Sequence, residues 1–389
     1  MNRKQLTAAV LLCVPATGFF NILPVFLGAA AEDFGLTPDK IGFLSAVETG
    51  ALAFASLLGP LWIKRFNWRS MAMVATTMIL AGNLLTMTVK SYEALLMIRM
   101  LTGFFGEGIG FSLSIAAVSE AEKPDRAFGF LIIVQVVAGA IGLIILPGLI
   151  TIWGMSPVLL YLALLALVVL PVLIWMPLVS VKTRTVDTER FTFPIYIPLI
   201  GLSALAIWCL NIGAYWSFVE RIGDHAGVGA QAIGFALSMG MLASLVGGVA
   251  AAGAGDKYGR IWPFCLTLLV HAGIVYPLVT ALTGIKLALI VICYNLAWNF
   301  GMPYLMGLIA TSDSSARMAV LMPVSQSLGV GAGAAIAGIL ANQYSYPSIS
   351  LFITGCCFLG MILFIPFSLR VVNGNWLSVK NNRNSVTLR

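Results

Sequence analysis

The segment IGFALSMGMLASLVGGVAAAGAGDKYGR, residues 233–260, is an apolar run that ends abruptly in a short loop carrying charges and a glycine. IGFLSAVETGALAFASLLGPLWIKRFNWR, residues 41–69, follows the same plan 192 residues earlier, with Gly42-Phe43 opening its run as Gly234-Phe235 opens the later one. Applied without gaps, that offset sets Arg65-Phe66-Asn67 on Lys257-Tyr258-Gly259. An offset close to half of the 389 residues predicts two copies of one structural unit.

Working outward from these two runs, a spanning helix needs about 20 apolar residues. Hydropathy read in a window of about 19 residues predicts spans near 7–31, 41–63, 70–89, 94–117, 127–150, 157–177, 194–218, 232–254, 262–283, 286–310, 318–341 and 347–369. The expected fold class is therefore an all-α polytopic membrane protein, twelve transmembrane helices in two six-helix bundles. Residues 1–177 form the first bundle, 178–193 a central loop, 194–369 the second bundle and 370–389 a polar tail. Because each copy holds an even number of spans, both copies start on the same face. Such parallel repeats are found in transporters whose substrate site lies at the repeat interface.

Composition agrees. The chain is 60% hydrophobic and only 10% charged, whereas soluble domains carry about 25% charge. Twelve spans leave no room for a sizeable soluble enzyme domain or a sensor's output domain. The net charge of +7 comes from basic residues scattered through short loops, which excludes a nucleic-acid surface and instead reports topology. Seventeen of the 22 basic residues fall on the side of the N-terminus and four on the other, with Arg99 inside a span. The positive-inside rule then puts both termini in the cytoplasm. Met1-Asn2-Arg3-Lys4 opens like a signal peptide, but the apolar segment runs on to about Ala31 and is read as an uncleaved first span. Cys13, Cys209, Cys265, Cys293, Cys356 and Cys357 sit in apolar runs without metal-ligand spacing. With two histidines, no HExxH and no Ser-centred nucleophile motif, an enzyme is not expected.

At Asp256-Lys257-Tyr258-Gly259-Arg260 the chain resembles the loop signature of the major facilitator superfamily, which joins the second helix to the third and the eighth to the ninth. The resemblance covers the whole chain and implies a latch on the inward face, here Lys64, Arg65, Arg69, Asp256, Lys257, Gly259 and Arg260. In the first-half copy Lys64 occupies the acidic position and Asn67 the glycine position. Arg99-Met100-Leu101-Thr102-Gly103 in the fourth span resembles the R-x-x-x-G element of proton-driven exporters. Gly139, Gly142, Pro147 and Gly148 are similar to the antiporter element G-x-x-x-G-P, with altered spacing. Gly329, Gly331, Gly333 and Gly338 in the eleventh span are small residues of the kind that let helices pack closely. The resemblance also implies a functional monomer in a bacterial inner membrane.

Ionisable residues inside a span are costly and mark function by default. Glu48, Arg99, Glu107 and His271 qualify. Burial pushes a carboxyl toward its neutral form and a nearby Arg draws it back, so Glu107 or Glu48 is the expected proton carrier with Arg99 as its switch. The alternative is a static Glu48–Arg99 pair that pins two helices. On ideal helical geometry Glu107 lies about 12 Å along the axis from Arg99 and roughly 80° around it. His271 is expected to make a structural hydrogen bond.

Thr17 and Asn21 share one face of the first span, Trp208, Asn211 and Tyr215 one face of the seventh, and Asn295, Trp298 and Asn299 mark the tenth. The family resemblance implies that these faces line a central cavity, with Gln135 and Gln326 flanking it. Two acids and one Arg make that site neutral to negative. It therefore suits a neutral, zwitterionic or cationic organic substrate moved by alternating access, with proton-coupled efflux as the first reading. A proton symporter or facilitator for a metabolite, or a lysolipid-type transporter of the same fold, is the alternative. No cofactor is called for beyond a proton gradient, and the expected partners are the substrate and the lipid bilayer.

Overall fold

Asn2 opens the first helix with a reciprocal cap: its side chain accepts from the Gln5 amide at 2.9 Å while Gln5 accepts from the Asn2 amide at 3.0 Å. From that start the chain, described here from a computed structural model, makes twelve helical crossings among the described residues. The structure describes residues 2–63, 65–179, 193–255, 257–279, 282–312 and 317–386. The first crossing, α1, consists of Arg3–Asn21 and Leu23–Phe34, bent by 51° at Ile22. Pro24, just inside the second piece, has no amide hydrogen to continue the first ladder. α2 is Pro38–Leu57 with the short turn Gly59–Trp62, and α3 is Trp68–Thr86, capped by Asn67. α4 comprises Tyr92–Leu101, a π-helical segment Thr102–Gly108 and Ile109–Ser119. α5 is Pro124–Trp153, and α6 is Ser156–Val169 with the 3-10 segment Leu170–Trp175.

The second half repeats the series with α7 (Tyr196–His225), α8 (Ala230–Ala254) and α9 (Ile261–Ile274). It continues with α10 (Gly284–Thr311), α11 (Arg317–Tyr344) and α12 (Pro347–Val386). Among the described residues nine helices are long and apolar enough to cross a membrane, and the bent α1 pair makes a tenth. The other two crossings are α3, of 19 residues, and the shorter α9. The sequence predicts a ninth span to 283, but the helix stops at Ile274 and the chain passes into a turn at Tyr276–Val279, where Pro277 cannot donate to the ladder. Of the expected central loop, residues 180–192 lie outside the described residues.

Large apolar side chains point outward along the crossings, among them Val249, Ile285 and Leu351, each more than 70% exposed. Such a surface is tolerable only where hydrocarbon covers it. Glu48, Arg99 and Glu107, conversely, are buried inside. This is the reverse of a soluble protein and the expected state of a polytopic one.

With twelve crossings the start of α1 and the end of α12 lie on one face, the terminal face, and the turns after α1, α3, α5, α7, α9 and α11 lie on the other, the distal face. The halves meet through α2 against α11 and α5 against α8. Glycines set the first contact. A methyl on Gly338 would meet the Pro38 carbonyl, and one on Gly42 the Ala334 carbonyl, while Gly331 faces Thr49. Gly329 and Gly333 face α7 instead, at Ala206 and Leu210. α11 is thereby held between its own half and the opposite one, with glycine on both sides.

Candidate functional site

Three ionisable side chains and an amide meet inside the first half. The Arg99 Nε donates to Glu48 Oε2 at 2.9 Å and its Nη2 to Glu48 Oε1, a two-pronged pair between α4 and α2. Nη1 donates to Asn83 Oδ1 of α3 at 2.9 Å, and Nη2 also reaches Glu107 Oε1 at 3.4 Å. The guanidinium carbon lies 5.1 Å from the centres of both the Phe19 and Phe26 rings of α1, within cation–π range. Arg99 and Glu48 are fully buried and Glu107 is 3% exposed. A buried ion pair persists only with good geometry and satisfied hydrogen-bonding groups; here α2, α3 and α4 supply those groups and α1 adds the two rings.

Glu107 reaches this cluster because α4 is not an ideal helix. Residues Thr102–Gly108 are π-helical, and the wider turn advances each residue through a smaller angle, swinging Glu107 back toward the Arg99 face. Wide turns of this kind are rare and concentrate at functional sites. The sequence accommodates this one with glycines: Gly103 lies against the Glu48 backbone of α2 and Gly106 against Ile79 of α3. A Cβ at either position would collide with its neighbour.

Beside the triad is a central cavity of about 180 Å³ between the halves, smaller than the roughly 300–1,000 Å³ of drug-sized sites. α1 contributes Thr17, Phe19 and Phe20, and α2 contributes Thr49 and Leu52. Glu107 and Phe111 come from α4, and Cys209 from α7. Trp298 and Met302 of α10, with Pro323, Gln326, Ser327 and Val330 of α11, close the other wall. Phe20 meets Trp298 edge-on across the halves at 6.2 Å. The Gln326 amide rests on the Met302 and Met306 sulfurs at 3.1 and 3.6 Å, weak acceptors that an incoming carbonyl or hydroxyl displaces readily. Glu107 is the one charged side chain in the described lining. A carboxyl that touches a guanidinium on one side and a cavity on the other can exchange the first contact for a proton or a ligand from the second.

Of the sequence-predicted residues, Thr17, Glu107, Trp298 and Gln326 line this cavity. Asn21 is buried behind it, donating to Thr17 Oγ1 and the Gln135 carbonyl, both at 3.2 Å, and Gln135 accepts from the Cys13 thiol at 3.6 Å. Asn295 and Asn299 donate back along α10, to the Val291 and Asn295 carbonyls. Trp208, Asn211 and Tyr215 are fully buried in a separate layer of the second half. There Asn211 Nδ2 and His271 Nδ1 lie 3.1 Å apart, Trp208 Nε1 is 3.4 Å from the same ring nitrogen, and the Tyr294 hydroxyl donates to Asn211 Oδ1 at 2.6 Å. The rings of Tyr215, Tyr294 and His271 stack, with centroids 3.6 and 4.0 Å apart. Asn83, Phe19 and Phe26 were not singled out from sequence. Asn83, the lone amide in an apolar third span, is costly to bury and offered a usable signal; the two Phe rings offered none.

The distal face is sealed. Ser45 and Ser217 hydroxyls meet across the halves at 3.0 Å, and Trp216 donates to the Phe20 carbonyl at 2.9 Å. Arg221 of α7 pairs with Glu32 of α1 at 2.7 Å and with Asp224, and Ser238 donates to the Ala140 carbonyl at 3.0 Å. The cavity lies on the terminal side of this seal. In the expected latch loops, Lys64 and Asp256 lie outside the described residues. Arg69 donates to the Met176 carbonyl at 3.2 Å, Lys257 lies over the Tyr258 ring, and Arg65 is exposed. Gly259 takes φ +66 to make its turn, and Arg260 lies close to Gly307 of α10. Among the described residues no group of three His, Cys, Asp or Glu side chains is placed to hold a metal.

Comparison with known proteins agrees with this architecture. The sequence model of the Major Facilitator Superfamily matches residues 8–322. A crystal structure of a point mutant of the nucleoside transporter NupG superposes with TM-score 0.74 at 12% identity, covering 94% of this chain and 100% of that one. The crystal structure of nucleoside transporter NupG gives TM-score 0.68 at 13% identity with the same coverage. At these identities the likeness is one of fold. No curated protein matches by sequence.

Proposed function

Because this chain belongs to the major facilitator superfamily, we propose that it is a proton-coupled secondary transporter for a small neutral, zwitterionic or cationic organic molecule, exporting it across a bacterial inner membrane as a monomer. The terminal face is cytoplasmic, so the sealed distal layer makes the present conformation an inward-facing one. The observation that carries the reading is Glu107, held by Arg99 at 3.4 Å and facing the cavity. Two carboxyls and one guanidinium balance only when one carboxyl holds a proton. Glu48 has both oxygens on Arg99, which leaves Glu107 as the carrier. A cationic substrate at Glu107 displaces the proton, and its binding therefore tightens as pH rises. Opening and closing of the halves around α2 and α11 then carries proton and substrate in opposite directions.

The aromatic and amide lining favours a second reading, proton symport of an uncharged metabolite. The nucleoside transporter that shares the fold adds nucleosides to the compounds to be tried. The test is uptake by proteoliposomes, with a pH gradient of either sign, of a panel sorted by charge and including nucleosides. Accumulation of a neutral or cationic compound against an opposing proton gradient, lost in Glu107→Gln while equilibrium exchange persists, supports export by antiport. Accumulation driven with the gradient selects symport. Transport of multivalent anions alone, unchanged in Glu107→Gln, overturns both.

A further inference from the structure

Away from the central cavity, a groove of about 410 Å³ opens on the terminal face between the start of α1 and the start of α5. Its upper rim carries Arg3, Lys123 and Arg126, with Glu122 as the only acid among the described lining residues, so the described rim is net positive. No described carboxylate lies within ion-pair distance of the three basic side chains. Its floor is apolar, with Leu6 and Phe130. The Arg126 guanidinium lies 5.7 Å from the centre of the Phe130 ring, which marks the level at which charge gives way to hydrocarbon. Below it Phe130, Ile133, Val137, Ile141 and Ile144 are all more than 40% exposed. Their spacing of three and four residues makes them a single outward stripe of α5.

We propose that this groove binds one anionic phospholipid of the terminal-face leaflet. The phosphate sits among Arg3, Lys123 and Arg126, and an acyl chain lies along the Phe130–Ile144 stripe. Three basic side chains without described acid partners recognise an anionic headgroup, as basic pockets between membrane helices do. The continuous apolar stripe beneath them selects a lipid over free phosphate. The two helices that form the groove are α1, which carries Thr17, Phe19 and Phe20, and α5, which packs on α8 of the other half. A bound lipid thus bridges the first half's cavity wall and a contact between the halves.

The experiment is lipid titration of the purified full-length protein in detergent, read by native mass spectrometry and by thermal unfolding, with phosphatidylglycerol, phosphatidylcholine and inorganic phosphate as separate arms. The wild type is expected to retain one phosphatidylglycerol and to be stabilised by it in preference to phosphatidylcholine. Arg3→Gln/Arg126→Gln is expected to weaken retention roughly 10- to 30-fold, from the usual contribution of each basic residue near an anionic surface. The charge-matched control Arg65→Gln/Arg370→Gln is expected to bind as the wild type does, and Phe130→Ser to weaken retention by a smaller factor. Equal binding of the two lipids, or equal loss in the control, overturns the site. Stabilisation by inorganic phosphate equal to that by phosphatidylglycerol overturns the lipid assignment in favour of a free anion.

Discussion

The two halves share a helix plan but fill corresponding interior positions with opposite chemistry. The 192-residue offset that relates them sets Glu48 on Gly240, Arg99 on Val291, Glu107 on Asn299 and Phe19 on Asn211. In the first half α2, α3 and α4 converge on a guanidinium shared by two carboxyls and an amide. In the second half α7, α9 and α10 converge on a neutral set, in which His271 joins Asn211, Trp208 and the Tyr294 backbone and stacks on the Tyr294 ring. On the proposed function, the difference teaches where the molecule responds to protons. A charged cluster changes its contacts when one proton is added. The neutral, ring-stacked cluster joins α7, α9 and α10 through hydrogen bonds and stacked rings.

That contrast can be broken by substitution, and the stability effects rank accordingly. Arg99→Leu leaves two buried carboxyls without their cation and is expected to destabilise by about 3–5 kcal/mol, seen as a lower thermal midpoint in detergent. Gly338→Val drives a branched side chain into the Pro38 backbone; overpacking of this kind costs about 1–3 kcal/mol. Its specific signature is a shift away from the sealed distal face, read as faster labelling of a cysteine introduced at Ser217. His271→Leu removes the hub of the neutral cluster at about 1–3 kcal/mol yet leaves any pH dependence of substrate binding intact. Glu107→Gln is expected to change stability by less than about 1 kcal/mol, since an amide still accepts from Arg99, while flattening that pH dependence. Arg221→Gln at the distal rim, where Glu32 is 68% exposed, is expected to cost no more than about 1 kcal/mol. If His271→Leu, and not Glu107→Gln, removed the pH response, the assignment of roles to the halves would be reversed.

Much of the fold was legible because hydrophobic length and loop charge are read directly from residues. Among the described residues ten of the predicted spans fall on helices long and apolar enough to cross a membrane, the other two fall on α3 and the shorter α9, and the offset from Gly42-Phe43 to Gly234-Phe235 pairs α2 with α8. What escaped was local geometry. The π segment of α4 has no proline to announce it, and its sequence signal, three glycines within TGFFGEG, acquires meaning only once α2 and α3 are seen against them. The pairing of Glu48 with Arg99 was expected from the cost of burying charge, but ideal helical geometry set Glu107 apart from it, and Asn83 and the two Phe rings that complete the cluster belong to other helices. Trp208, Asn211 and Tyr215 share one α7 face, as their spacing predicts, yet periodicity gives a face without saying what it meets. In the structure that face meets α9 and α10.

The central claim is that Glu107 carries the exchangeable proton of the first half. Infrared difference titration of the purified protein, following the carbonyl stretch of protonated carboxyls, reads that proton without knowledge of the substrate. The account predicts a titrating band in the wild type that vanishes in Glu107→Gln and persists in His271→Leu. A band that survives in Glu107→Gln and vanishes instead in Glu48→Gln would contradict it.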